Sequence, residues 1–249
     1  MSGAVAHIWR HPIKSHGREA LERTSLIQGR TIPWDRTWAV LHAAAKADGK
    51  TWAHCANFSR GAKAPNLMAI DAKLDEATQT VTLTHPDRPK IQFHPDLEGE
   101  RFLEWVAPLM PENRAASTKI VRAQDRGMTD TEFPSISLNS LTSNRAVAQK
   151  LSTDLSPLRW RGNIWFEGLV PWEEFGWVGK TIRVGSAELV VQEPITRCLA
   201  TTVNPLTGLR DADTLAALKS GWGHQNFGVY AQVVKSGEVQ IGDRPEVLS

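Results

Sequence analysis

Two cysteines, Cys55 and Cys198, are all that 249 residues contain, too few for a disulfide framework or for an iron–sulfur cluster of the chain's own. No apolar run approaches the length that spans a bilayer, and the opening MSGAVAHIWRHPIK lacks both the hydrophobic stretch and the small-residue cleavage site of a secretory signal. A soluble, cytoplasmic protein is the expectation. There is no Gly-rich phosphate loop and no dinucleotide fingerprint, which counts against a nucleotide-dependent enzyme. At a net charge of +2 the chain has neither the basic excess of a general nucleic-acid binder nor a polybasic membrane tail.

What is present is ordinary globular composition, 41% hydrophobic and 22% charged, and enough length for one large core or two modest ones. Two compact lobes are expected, residues 1–118 and 119–249. Ten tryptophans are spread from Trp9 to Trp222, a distribution that suits core and barrel packing better than one aromatic box. Between Arg10 and Arg36, six basic residues (Arg10, Lys14, Arg18, Arg23, Arg30, Arg36) stand against three acidic ones (Glu19, Glu22, Asp35). That local excess fits either a solvated face or a pocket for an anion.

The first half reads as short alternating strands between turn signals: AVAHIWRHPI, LERTSLIQG, RTWAVLHA, NLMAIDAKLD, TVTLTHPD and KIQFHP. A short helix is expected from Glu98 to Leu109, where Phe102, Leu103, Val106 and Leu109 fall near helical spacing. After a polar stretch with one strand at KIVRA and a break at Gly127, the run SISLNSLTSNRAVAQKL offers Ser or Asn caps for a helix ending near Leu151. NIWFEG, KTIRVGSAELVVQE, CLATTVN and a closing pair follow as strands, with tight turns expected at Ser236-Gly237 and Gly242-Asp243. The pattern predicts a mainly β (α+β) fold, a barrel with peripheral helices joined to an all-β first lobe, rather than βαβ winding.

Cys198 stands where the apolar strand AELVVQEP gives way to a loop, and the adjacent Arg197 favours a thiolate, the form that binds a metal. By itself a single cysteine is as readily a small buried hydrophobe. Its neighbours Pro194, Thr201, Thr202, Asn204, Pro205, Thr207 and Gly208 put rigid turns and hydroxyls around one sulfur, a setting that suits an oxyanion or a metal-oxo group. Arg161 sits between aromatic-rich segments, where a buried guanidinium demands an anion or a carboxylate, and Asn163 two residues on would share its face.

The run TRCLATTVNPLTG resembles the cysteine loop of MOSC domains, and it is most similar to the amidoxime-reducing branch. RWRGNIWFEG, WVGKTIRVGSAELVV and GVYAQVVKSGEVQIGDRPEVL resemble further MOSC segments in the same order. In the first lobe, HPIKSHG followed by WDRTWAVLH resembles the N-terminal β-barrel that accompanies MOSC in amidoxime reductases. The likeness covers almost the whole chain and is weakest from about residue 40 to 128.

The resemblance implies a molybdenum cofactor (molybdopterin) whose metal takes the thiolate of Cys198 as its protein ligand, a soft sulfur donor suited to that metal. The cofactor's phosphate needs cations, and the resemblance points to Lys14, Arg36 and Arg161, with Ser15, Arg197 and Thr201 beside them. Taken alone, Lys14 and Ser15 read as an exposed turn, and Arg36 beside Asp35 as a surface ion pair. Asp130 and Thr131 precede FPSISLNSL, a segment resembling the part of MOSC domains that runs under the metal. There Asp130 would take part in proton delivery, although a loop-capping aspartate is the plainer explanation, and Ser135 and Ser137 would hydrogen-bond the pterin. His11 and His16 flank Lys14 without a firm role, and eight histidines lacking ligand spacing argue against a second metal.

The function implied is reduction of an N-hydroxylated or N-oxidised small molecule, with electrons from a separate donor protein because the chain has no electron-carrying motif of its own. Two alternatives stay open: a carrier or store of the cofactor without turnover, and a sulfur carrier with a persulfide on Cys198, though the chain lacks the pyridoxal-phosphate domain that would generate the sulfur. A thiol hydrolase has no readable His–Cys pairing behind it. A monomer is expected, the oligomeric state itself being unread; substrate, donor, cofactor form and the role of Cys55 are open.

Overall fold

The structure, a computed structural model, describes residues 3–124 and 126–248. Met1, Ser2, Asp125 and Ser249 lie outside the described residues, and with them the outer ends of the two expected lobe spans.

In the first part come strands β1 (Ala4–Arg10), β2 (Glu19–Leu21), β3 (Arg23–Leu26), β4 (Trp38–His42), β5 (Asp71–Asp75), β6 (Thr80–His85) and β7 (Arg88–Phe93), then helix α1 (Gly99–Val106) and strand β8 (Ser117–Arg122). The second part holds β9 (Ile136–Ser140), α2 (Leu141–Leu151), β10 (Ile164–Glu167), β11 (Thr181–Val184), β12 (Ala187–Thr196), α3 (Thr214–Trp222), β13 (Asn226–Lys235), β14 (Gly237–Gln240) and β15 (Pro245–Val247). The fold is mainly β, as the periodicity predicts.

One sheet dominates, with eight strands in the order β15-β11-β12-β13-β9-β10-β1-β2, curled into a half-barrel. Its strands bury Val5, Ile8, Ile136, Leu138, Ile164, Phe166, Leu189, Val191 and Val229 together in one core. A second core lies between the meander β5-β6-β7 and α1, where Leu74, Val81, Leu83, Phe93, Phe102 and Val106 meet. The alternation read in DAKLD explains that meander, since Ala72 and Leu74 face in while Asp71, Lys73 and Asp75 face water. Among the described residues no helix is long and apolar enough to cross a membrane.

Helix α2 starts where expected, capped by the Ser140 hydroxyl, which accepts from the Ser143 amide at 3.2 Å. It joins β9 to β10, which pair in parallel with Leu138 opposite Ile164. The half-barrel therefore contains one βαβ unit, which the barrel reading did not include.

Four further expectations are corrected. CLATTVN is not a strand: Leu199–Thr202 forms a 3-10 turn in which the Thr201 and Thr202 hydroxyls donate to the carbonyls of Cys198 (3.1 Å) and Leu199 (2.8 Å), drawing the chain away from a ladder. The first four residues of NLMAIDAKLD fall instead in a 3-10 turn, Pro65–Ala69, which Pro65 opens. Helix α3 is unanticipated; Asp213 caps its start by accepting from Ala216 N at 3.0 Å, and Gly223 closes it at φ 80°. Finally, Ser236-Gly237 makes no hairpin. β14 pairs with β3, Gly237 opposite Leu26, because the Ser236 hydroxyl accepts from Gln28 N at 2.9 Å and Gly237 lies against the Ser186–Ala187 backbone where a Cβ has no room. The turn at Gly242 forms as read, with φ 94° and the Asp243 carboxylate accepting from Gln240 N at 2.8 Å.

Candidate functional site

A cavity of about 720 Å³ opens between segments from the two halves of the sequence; the halves are interleaved, since β1 and β2 are strands of the half-barrel sheet and β3 pairs with β14. Lys14, Ser15, Arg36, Trp52, His54, Cys55 and Arg60 line it from one side; Asp130, Thr131, Ser137, Arg159, Arg161, Arg197, Cys198, Thr201 and Tyr230 line it from the other. Six of these are Lys or Arg, and the carboxylates along the wall are Asp130, Glu132 and Glu193. The cavity is therefore a place for an anion.

Cys198 follows the end of β12 and is exposed, its thiol on the cavity wall. Arg197 before it points inward. Its guanidinium donates to Phe227 O (2.8 Å), Trp160 O (2.7 Å) and Asn139 Oδ1 (3.0 Å) and lies over the Trp160 and Phe227 rings. Burial pulls its pKa down to about 10, so it remains a cation at neutral pH. With these donors engaged, Arg197 anchors the cysteine loop and sets a positive charge beside the sulfur. Asn139, which holds Arg197, is fully buried; neither Gly162 nor Gly228 beside it could carry a Cβ without striking its side chain.

Lys14 is buried, donating to Met128 O at 2.6 Å and Asp130 Oδ1 at 2.5 Å. It is not the exposed turn residue that the Lys-Ser pair alone suggests. Burial would raise the Asp130 carboxyl, but Lys14, with Arg36 and Arg161 beyond it, holds it below the usual carboxylate range. Asp130 is thus an ionised partner and a poor proton source at neutral pH. Arg36 is ion-paired with Asp35 and donates to Arg161 O at 3.1 Å. Asp35 is fully enclosed and also accepts from His11 N at 2.8 Å; this is an interior pair rather than a surface one. Ser15, Arg36 and Arg161 hold left-handed backbone, at φ 64°, 54° and 50°. Non-glycine residues adopt that conformation at a penalty of order 1 kcal/mol each, a strain that clusters at functional sites.

Arg161 is incompletely paired and has no carboxylate bonded to it among the described residues. Its Nη2 donates to Gly17 O at 3.1 Å, while Nη1 is buried and has no partner among the described residues. Burial, followed by the charges of Arg36 and Arg18, pulls its pKa down to about 9. Arg159, two residues earlier, is buried with Nη2 on Asp211 Oδ1 at 2.7 Å, and its Nε and Nη1 have no partner among the described residues. Nothing in the sequence singled it out.

Asn163 and Ser135 do not line the cavity. Asn163 Oδ1 accepts from Ser137 N and Oγ (3.2 and 3.0 Å) and its amide donates to Trp9 O, so it positions Ser137 from behind. Ser135 Oγ accepts from Thr131 Oγ1 at 2.7 Å, and Thr201 Oγ1 sits 2.7 Å from Thr214 Oγ1. His11 and His16 are enclosed, and burial lowers them to about 3 and about 4, so both are neutral near pH 7. Tyr230 was not anticipated either; burial, then the charge of Asp130, raises its phenol to about 12 and keeps it protonated. Among the described residues no three His, Cys, Asp or Glu side chains gather as a metal cage. A metal here would need to arrive with ligands of its own.

A family model described as the MOSC domain matches residues 129–246, and one described as the MOSC N-terminal beta barrel domain matches residues 2–155. Two curated relatives are a "Molybdenum cofactor sulfurase" of Anopheles gambiae, 26% identical over 53% of this chain and 19% of that protein, and a "Molybdenum cofactor sulfurase 2" of Culex quinquefasciatus, 33% identical over 31% of this chain and 10% of that protein. The chain spans less than a fifth of the length of either relative. Among solved structures, the YUAD protein of Bacillus subtilis aligns over 99% of this chain and 96% of its own, at 14% identity and a TM-score of 0.48. YiiM of Geobacillus stearothermophilus aligns over 46% and 54%, at 17% identity and a TM-score of 0.36. Neither score reaches 0.5, and the family assignment stands on the two family models.

Proposed function

This chain belongs to the MOSC family, carrying the MOSC N-terminal beta barrel domain with the MOSC domain, and on that premise we propose that it binds a molybdenum cofactor through Cys198 and reduces N-hydroxylated or N-oxidised compounds. One observation carries the reading: an exposed thiol opens on a cavity in which Arg159 and Arg161 keep buried N–H donors without partners among the described residues. Buried donors left unpaired are costly, by about 1–3 kcal/mol each, and a resident anion relieves that cost.

The donor set fits such a group. Arg159 and Arg161 would bind its phosphate, and Lys14 and Arg36 would keep the field positive while already tied to Asp130 and Asp35. Cys198 would be the one protein ligand, its thiolate favoured by Arg197. The bound cofactor supplies the two-electron redox chemistry; the substrate N–O bond breaks, taking up two electrons and two protons and releasing water. Asp130, held ionised, orients Lys14 rather than supplying a proton. The Tyr230 hydroxyl, kept protonated at neutral pH, lines the same wall as a hydrogen-bond donor and would orient the bound group rather than surrender its proton. Electrons come from a separate donor protein.

Molybdenum per chain, measured on protein from a cofactor-competent host, should be near one for wild type and strongly reduced for Cys198→Ala. The loaded wild type, given electrons from dithionite-reduced methyl viologen, should convert benzamidoxime to benzamidine. Metal retained without turnover would instead favour a cofactor carrier; no metal in folded wild type would overturn the cofactor reading.

A further inference from the structure

The first-lobe wall of the cavity contains a cation that no interior group requires. Lys14, Arg36 and Arg159 each have a carboxylate partner, and Arg161 and Arg197 are held on carbonyls. Arg60 has neither. Its one side-chain hydrogen bond runs from Nη1 to the Cys55 sulfur at 3.1 Å, a weak acceptor, and neither Glu132 nor Glu193, the acids nearest the opening, forms an ion pair with it. Most of the guanidinium fork is left for a ligand.

The position of Arg60 is fixed against the cysteine loop. A Cβ on the next residue, Gly61, would lie 3.8 Å from that of Ala200, and Arg210 ties Ala62 O to the same loop at 2.9 Å. Beside Arg60, the Trp52 indole is locked by its N–H to Thr129 O at 2.9 Å and by the Arg126 guanidinium 5.3 Å from its ring. It presents a rigid aromatic wall. Burial separates this wall from the orphaned donors: Arg159 is 3% exposed, whereas His54 is exposed and Trp52, Cys55 and Arg60 are half-buried. A resident group belongs at the enclosed end, and a ligand that enters and leaves belongs at the open one.

We propose that Arg60 is a specificity-determining residue that anchors a carboxylate on the substrate, so that the compounds reduced are N-oxygenated carboxylic acids; this rests on the reductase reading above. Guanidinium binds carboxylate through two parallel N–H···O bonds, with a fixed direction as well as affinity, and Trp52 gives a flat face to the body of the molecule.

Calorimetry on the metal-loaded protein tests the anchor without turnover, using 4-carboxybenzamide, which has no N–O bond to reduce, and benzamide as its neutral counterpart. Wild type should bind the carboxylate at least tenfold more tightly. Arg60→Gln should abolish that preference, a change of about tenfold or more for one charge-assisted pair, and Arg60→Lys should keep part of it. The ratio of kcat/KM for 4-carboxybenzamidoxime over benzamidoxime should fall by the same factor in Arg60→Gln, at wild-type molybdenum content. Equal binding of the two amides by wild type overturns the proposal. So does loss of molybdenum in Arg60→Gln, which would give Arg60 to the cofactor. A carboxylate preference that depends on Arg60, with neither amidoxime reduced, upholds the anchor and sinks the reductase reading.

Discussion

Two carboxylates among the described residues lie fully enclosed, Asp35 behind the cavity and Glu174 beside the half-barrel, and they have opposite surroundings. Asp35 has Arg36 and two bonds from His11, which overrule the effect of burial and hold it well below the usual carboxylate range. Glu174 has no cation beside it among the described residues; its own backbone amide and the Ser143 hydroxyl, 2.9 and 3.1 Å from its oxygens, do not offset burial, which pushes it up to about 7. The site region thus keeps its charges by pairing them, and the barrel keeps its acid by letting it go neutral. Arg161 lies between these extremes, a buried charge whose pairing is incomplete.

Removing a partner from the paired region should have the largest effect. Asp35→Ala leaves Arg36 without its counter-charge and should lower unfolding free energy by about 3–5 kcal/mol in urea at pH 7; a loss under about 1 kcal/mol would break the comparison. Next comes the barrel. With its folded value raised from 4.5 to about 7, Glu174 is fully tolerated below pH 4.5 and destabilises the fold as pH rises toward 7. Glu174→Gln should therefore gain about 3 kcal/mol at pH 8 and almost nothing at pH 4.5, which thermal melts at the two pH values would read. Asp35 runs the other way, its stabilisation being lost in acid.

The third expectation is smaller. Arg161→Met should stabilise the metal-free protein by about 1–2 kcal/mol, because a poorly paired buried charge is replaced by an apolar chain. The same variant should lose molybdenum by elemental analysis, separating folding from loading. Smallest, Ser143→Ala should cost about 1 kcal/mol at pH 8. A double-mutant cycle with Glu174→Gln would show how much of that passes through the carboxylate.

Much of this was legible in the sequence, for identifiable reasons. Alternation in DAKLD and TVTLTH and the Ser140 cap are local signals, and the elements they predict are present. The Ser236-Gly237 turn misled because β14 finds its partner in β3, some 200 residues away, and a dipeptide carries no trace of that. For the same reason Arg159 and Tyr230 were invisible: an arginine after a proline turn and a tyrosine in a strand acquire meaning only from what folds against them. Lys14 illustrates the limit from the other side, since its surroundings are set by Asp130, 116 positions on.

The pairing of β1 with β10 also governs the order of events at the ribosome. Ala4 sits opposite Glu167, so at the usual synthesis rate of about 5–20 residues per second the first strand waits roughly 10–30 seconds for its neighbour. Throughout that interval the amino-terminal segment has a bare edge, open to nascent-chain binding factors or to another unfinished copy. Tyr230 is made later still, so the cavity wall is finished only once β13 has been synthesised.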